Sequence, residues 1–351
     1  MGYYEEVFLK EVEKKRDKRA KGEYNGIPFC FRNYHNYVES IDKGTYSALA
    51  SGPGNGKSFW VRYTHIYKPF EFYLETGYKI KILYFALEDS REQIYKSICA
   101  YYLWKHHQIR ISKKILDSKS EPIPERYMTL LYDNKEFFKL FEETVYIIDD
   151  KTDPDAILEA CEKCYEKFGD EYHYIVVVDN YANIDPGDYK TKYEAVATFS
   201  RKHVRKRLCK ELGFSVLAVI QNDMDSEKFA ARNTGGNVSA IEPTMGSFGD
   251  IKIITRDIHI IWALFNPWRY GILTYPNQKG YNIDNLRNKF RALLMLKNNF
   301  DEMAPRLGLF FDGSKGTFEE LPSLDQEEAL QRIYVQNLED ERKFKESRSK
   351  Q

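Results

Sequence analysis

Short, almost wholly apolar runs alternate along this chain with longer segments of helical periodicity. Tyr46–Ala50, KIKILYFALED over residues 79–89, TVYIIDD closing at Asp150, Tyr174–Val178 within YHYIVVVDNYANI, and FSVLAVIQND each read as a strand covered on both faces, as in a parallel sheet. Between them, REQIYKSICAYYLWK reads as a helix with Ser90 as its N-cap, and DPDAILEACEKCYEKFG as a second. KYEAVATFSRKHVRKRLCKELG reads as a long helix with a basic face, stopped by Gly213 at the C′ position. Strands and helices in this alternation predict an α/β fold with a mostly parallel central sheet flanked by helices. Glu88, Asp179 and Gln221 each stand just past or at the end of such a strand, so the site is expected along that edge.

The flanking segments are less regular. Residues 110–150 carry no clear period before TVYIIDD, and residues 223–250 are glycine-rich, polar, and too long for a simple connection. DIHIIWALFNP, FRALLMLKNN and LGLFFDG then read as strands, the last followed by FEELP. Residues 3–21 are strongly charged, with Val7, Phe8 and Val12 as apolar positions and the basic run KKRDKRAK at the end. That pattern suits either an amphipathic helix resting on another surface or a solvated terminal helix. From Asp325 the chain reads as a charged, helix-like tail with weak apolar spacing. The expected organisation is a helical extension over 1–24, a core over 25–322 and a helical tail over 323–351.

Composition narrows the partners. Lys+Arg and Asp+Glu are both 53 in 351 residues, so there is no global positive field, and any nucleic-acid contact must be local. The aromatic content of 15% suits a sizeable core and also supplies stacking surfaces. Five cysteines at irregular positions fit a reducing compartment, and Cys161 with Cys164 forms a lone CxxC inside a helix, with no second ligand pair at matching spacing. No apolar stretch of ~18 residues occurs and the first residues lack a signal-peptide core, which leads us to expect a soluble, cytoplasmic protein.

Candidate chemistry begins with ALASGPGNGKSFW, Ala48 to Trp60. A turn needs only part of this. Gly52, Pro53, Gly54, Asn55, Gly56, Lys57, Ser58 and Phe59 complete the spacing of a phosphate loop, in which backbone N–H groups cradle phosphates, the lysine reaches the β- and γ-phosphates and the hydroxyl ligates Mg²⁺. A helix starting here adds the positive end of its dipole. The first glycine of the pattern is replaced by Ser51. Loss of a γ-phosphate needs positioning and charge neutralisation, with one carboxylate for the Mg²⁺ shell and another to orient water. Asp179 fits the first role together with Ser58, Glu88 fits the second, and Gln221 can link the γ-phosphate to the loop behind it. ATP and Mg²⁺ are the expected ligands.

These motifs, in order from NGIPFCFRNYH through SGPGNGKS, LYFALEDSREQI, YIVVVDNYANI, ELGFSVLAVIQND and LLMLKNN to LFFDGSKGTFEEL, resemble the RecA-like ATPase domain of DnaB-type replicative helicases, in the divergent form carried by phages and mobile elements. The resemblance covers roughly residues 25–322. It implies a P-loop ATPase that forms a hexamer-like ring around single-stranded DNA, with nucleotide between subunits. FALE resembles the family's segment bearing the catalytic glutamate, IVVVD its Walker B strand, and VIQND the strand ending in its sensor glutamine. It also implies DNA contact by the loops after Asp179 and Gln221, which carry Lys190, Lys192, Lys228 and Arg232. Two departures stand out. The family's primase-interacting N-terminal domain has no counterpart in this sequence, and the helix at 3–21 is a candidate for the linker helix that docks on a neighbouring subunit. Where the family shows a Lys-x-Arg finger, this chain reads Lys297-Asn298-Asn299, leaving Lys297 or the later Arg306 as candidates. The expected function is an ATP-dependent single-stranded DNA translocase or helicase. The alternatives are a DNA-binding ATPase that does not unwind (a loader, recombination or packaging factor) and a nucleotide-bound assembly protein.

Overall fold

The apolar runs of the sequence become the strands of one nine-stranded sheet. The computed structural model describes residues 2–111, 113–119, 121–221 and 241–349. The strands are β1 (Tyr46–Ser51), β2 (Ile80–Ala86), β3 (Val145–Ile148), β4 (His173–Asp179), β5 (Ser215–Gln221), β6 (Ile260–Phe265), β7 (Phe290–Asn298), β8 (Leu307–Asp312) and β9 (Thr317–Glu320). Their spatial order is β9-β8-β7-β6-β1-β5-β4-β2-β3. The strands from β6 to β3 in that order are parallel, and β7, β8 and β9 extend the sheet antiparallel.

Register aligns the strand ends. Ser51 lies opposite Gln221 on one side and Leu264 on the other, while Ala86 lies opposite Asp179. The predicted run 79–89 leaves the ladder after Ala86, whose pairing with Asp179 is closed by the last ladder bond, from Leu87 N–H to the Asp179 carbonyl at 2.7 Å. Successive side chains alternate across the sheet. Ala48, Ala50, Leu83, Phe85, Val176 and Val178 pack on one face with residues of the helix Pro154–Phe168 and of the helical segment Lys192–Glu211. Leu49, Ile82, Tyr84, Val177 and Leu217 pack on the other with Trp60, Ile66 and Phe70 and with Ile94 and Ile98 of the helix Arg91–His107. Ser90 caps that helix as predicted, its side chain accepting from Gln93 N–H. Phe29, from the turn-rich lead, stacks on Trp262 at 5.4 Å, which ties residues 27–41 to this second core.

Three segments carry more than the sequence pattern shows, and the tail forms the helix expected of it. Residues 110–150 hold amphipathic helices at Glu125–Asp133 and Lys135–Thr144, whose Tyr127, Phe137, Phe138 and Phe141 pack against the Arg91–His107 helix and the second core. FEELP contributes to β9, where Thr317 and Phe318 are buried against β8. The tail becomes the helix Glu327–Ser349, with Leu330 and Tyr334 buried and Asn337 Nδ2 donating to Asn285 O at 2.7 Å. The N-terminal helix Lys10–Ala20 buries no residue, and Val7, Phe8 and Val12 before and within it are about half exposed.

Two core histidines give the fold a pH dependence. His65 and His173 are buried, hydrogen-bonded to the hydroxyls of Thr64 (2.8 Å) and Ser215 (2.7 Å), and burial pulls both rings down to about 3. Each folded value lies below the unfolded value of about 6.5, so between these limits the unfolded chain binds more protons and stability falls with falling pH. From pH 7.5 to 5.0 each ring should remove about 2 kcal/mol, about 4 kcal/mol together. Chemical denaturation at the two pH values measures this; equal stability at both would mean that the rings are protonated in place.

Candidate functional site

The phosphate-loop segment connects β1 to a helix over Lys57–Arg62 that continues through a wider turn, Tyr63–Tyr67, into Lys68–Thr76. Gly54 and Gly56 have φ of +73° and +94°, conformations that side chains rarely adopt, and a Cβ at Gly56 would lie 3.4 Å from the Phe311 ring. The helix starts directly behind, with Gly56 as its N-cap and the Gly56 carbonyl accepting from Trp60 N–H at 2.9 Å. Ser51, at the position of the missing glycine, is fully buried and donates through its hydroxyl to Leu264 O at 3.1 Å, tying the loop's entry to β6. Phe59 packs its ring on Phe311 at 5.5 Å, with the Arg62 guanidinium over its face.

Lys57 is 8% exposed, and its ammonium lies 3.6 Å from Glu88 Oε2. Glu88 is half exposed and is held from behind by Asn180 Nδ2, which donates to Oε2 at 2.8 Å. Asn183 Nδ2 donates to the Leu87 carbonyl at 3.1 Å, so the chain after β4 positions the chain after β2. Asp179 is 2% exposed; Oδ2 accepts from the Tyr84 hydroxyl at 2.9 Å, while Oδ1 is buried with no hydrogen-bond partner among the described residues. Burial pushes its carboxyl up from the usual range, against the opposing pull of Lys57, Tyr84, Arg62 and Ser58. A buried carboxylate oxygen without a partner is costly. One such oxygen beside the Ser58 hydroxyl supplies the kind of oxygen donors that a hard divalent cation takes. Asp89, next to Glu88, is instead engaged by Arg62 Nη1 at 3.1 Å.

The strand ends therefore bring Lys57, Ser58, Glu88 and Asp179 into one corner, with Gln221 on the same edge at the end of β5. Lys297 and Arg306 are not in that corner. Lys297, on β7, donates to the carbonyls of Thr255 (2.9 Å) and Ile258 (2.6 Å); Arg306 forms a two-pronged pair with Glu242 at 2.8 and 2.7 Å. Lys190 and Lys192 are exposed in the chain after β4, and the Lys192 ammonium donates to the Ala182 carbonyl. Lys228 and Arg232 lie outside the described residues.

Sequence reasoning overlooked two arginines. Arg269, after β6, places Nη1 on the Pro53 carbonyl and on Asn55 Oδ1 (3.1 Å). Arg291, on β7, is 1% exposed; Nε donates to the Asn55 carbonyl at 2.5 Å and Nη1 to the Asn288 and Phe290 carbonyls at 2.7 Å. Its guanidinium lies over the Phe311 ring at 4.9 Å, and burial, with Arg269 nearby, pulls it down to about 9. The signal was an arginine inside FRALLMLK, a charge where every neighbour predicts core. Both arginines hold the backbone of the loop from the antiparallel side of the sheet.

No family model and no curated protein sequence matches the chain. Among solved structures, a DnaB-like replicative helicase, described with its interactions with primase, superposes with a TM-score of 0.67 at 14% identity over 88% of this chain and 65% of that one. The chain thus spans just under two thirds of that protein's length. A second solved structure, an ATPase domain on its own, superposes with a TM-score of 0.65 at 14% identity, over 92% of this chain and all of that domain. The chain has the fold of the RecA-like ATPase domain of DnaB-like helicases.

Proposed function

We propose that the protein is an ATP-hydrolysing, ring-forming translocase on single-stranded DNA. The observation that carries this reading is the convergence, at one sheet edge, of a lysine- and serine-bearing glycine loop, an under-bonded buried aspartate and a half-exposed glutamate, on a fold shared with helicase ATPase domains. The loop backbone and Lys57 would bind the β- and γ-phosphates of ATP. Ser58 and Asp179 would hold Mg²⁺, whose chemistry is to neutralise charge on the phosphate oxygens. Glu88, steadied by Asn180, takes the proton of the attacking water, and Gln221 carries the state of the γ-phosphate toward the chain beyond β5.

DNA contact is assigned to the loops behind Asp179 and Gln221. Neutralising Lys190, Lys192, Lys228 and Arg232 together should weaken binding and flatten the slope of log K against log salt by about 0.7 for each lost phosphate contact. An unchanged slope would send the strand elsewhere.

A second reading, a DNA-binding ATPase that does not unwind, draws support from one feature. Lys297 and Arg306 are both engaged within their own chain, and a subunit lending Arg306 to its neighbour must give up the pair with Glu242. A finger is worth ~10³-fold or more in rate, so its absence gives a weak motor. ATP turnover with and without single-stranded DNA, measured alongside mass in the presence of nucleotide, tests the first reading; strand displacement from a forked duplex separates it from the second. Turnover indifferent to DNA would leave the assembly-protein alternative.

A further inference from the structure

The sheet edge opposite the phosphate loop, where β1 and β6 begin, borders an open groove of about 1280 Å³. It lies a strand length, about 17 Å, from the loop. Seven lysine and arginine side chains and only two carboxylates, those of Glu39 and Asp42, line it, in a chain whose acids and bases otherwise balance. One wall is the helical segment Phe199–Glu211, which presents Lys202, Lys206 and Lys210 at intervals of four residues. All three are exposed, and none has an ion-pair partner among the described residues, whereas the neighbouring Arg201 is paired with Asp257 and Arg207 with Glu162. Like charges four apart on a helix repel and cost stability, a cost that a bound polyanion would relieve.

The groove also holds an aromatic platform. Phe300 is 60% exposed and lies on His259, ring centres 4.9 Å apart and planes inclined at 39°. His259 Nδ1 accepts from the Tyr46 N–H at 2.9 Å and from Arg205 Nη1 at 3.2 Å, so the ring is fixed, and the arginine stands beside it. An exposed ring backed by a fixed one, next to a row of free cations, matches a strand with both phosphates and bases. An acidic polypeptide would use the cations alone.

We propose that this groove is a second single-stranded nucleic-acid track, with phosphates along Lys202, Lys206, Lys210 and Arg205 and a base stacked on Phe300. It is separate from the loops behind Asp179 and Gln221 and does not depend on nucleotide binding.

The test uses the full chain and a labelled oligothymidylate, with affinity measured across a salt series. The triple variant K202A/K206A/K210A should bind more weakly, with a slope of log K against log salt shallower by about 2, from about 0.7 per lost contact. Phe300→Ala should loosen binding about tenfold with the slope unchanged, since a stacked base carries no salt term. Turnover of ATP without nucleic acid should stay at the wild-type rate in both variants. Lys57→Ala protein should bind the oligonucleotide as wild type does, so a failed ATPase assignment and a failed groove are seen separately. The proposal is overturned if wild type does not bind, if the triple variant keeps the wild-type slope, or if polyglutamate displaces the oligonucleotide at equal charge concentration. It also falls if the triple variant changes oligomeric mass while keeping its affinity, which would make the groove a subunit interface.

Discussion

Lys57→Ala is expected to abolish ATP binding at any practical concentration while the fold survives. The ammonium is the only lysine or arginine charge within the loop sequence from Ser51 to Ser58, and it is almost fully buried, while the nearby Arg269 and Arg291 are already engaged by the carbonyls of Pro53 and Asn55. Truncating one member of a desolvated charge pair costs about 3–4 kcal/mol, two to three orders of magnitude in affinity. Without nucleotide the substitution removes a 3.6 Å pair with the half-exposed Glu88, worth at most about 1 kcal/mol, and the pull of Lys57 on the buried Asp179, whose carboxyl then moves further up and is held neutral. Calorimetric titration with ATP and Mg²⁺, together with a thermal melt of the free protein, checks both halves. Wild-type affinity in the variant would refute the phosphate-loop assignment, whereas a collapsed melt would mark Lys57 as a structural cation.

Glu88→Gln is expected to separate binding from turnover. The amide keeps the length and shape of the carboxylate, and its carbonyl oxygen can still accept from Asn180 Nδ2, so the chain after β2 keeps its place. It cannot take a proton from water. General-base catalysis is commonly worth 10²–10⁴-fold, and a loss on that scale in kcat with ATP affinity unchanged is the anticipated result. If turnover persists, Asp179 is the carboxylate to examine next. Asp89 is the poorer substitute, because Arg62 already holds it at 3.1 Å.

The strands and the phosphate loop could be read from the chain because their signals are local. A run such as IVVV is apolar at every position, and a glycine loop in front of Lys57 needs no distant partner to be recognised. Asp179 and Glu88 were picked out as candidates by the same means, as polar residues at or just past the ends of such runs, and the structure brings both to Lys57. What escaped was set by contacts far apart in sequence. Arg291 and Arg269 reach the loop from more than two hundred residues away, and no window of sequence links FRALL to SGPGNG. The helices between 125 and 144 went unread although Tyr127, Leu130, Leu131, Phe137, Phe138 and Phe141 recur at helical spacing, because two short helices meeting at Asn134 break that spacing into separate runs. The engagement of Lys297 and Arg306 was hidden because Thr255, Ile258 and Glu242 lie in a stretch with little periodicity of its own.

β7 has a mechanical consequence. At its start Arg291 grips the Asn55 carbonyl of the phosphate loop, and at its end Asn298 donates to the Tyr37 carbonyl and accepts from Phe300 N–H, at the far side of the sheet. Nine residues in extended form make a rod of about 27 Å, paired with β8 over Phe290–Leu293 and with β6 from Ala292 to Asn298. A strand hydrogen-bonded to its neighbours resists both bending and sliding, so β7 sets the spacing between the phosphate loop and the opposite sheet edge. The rod has one joint, the irregularity between Met295 and Lys297, close to the groove rather than to the loop.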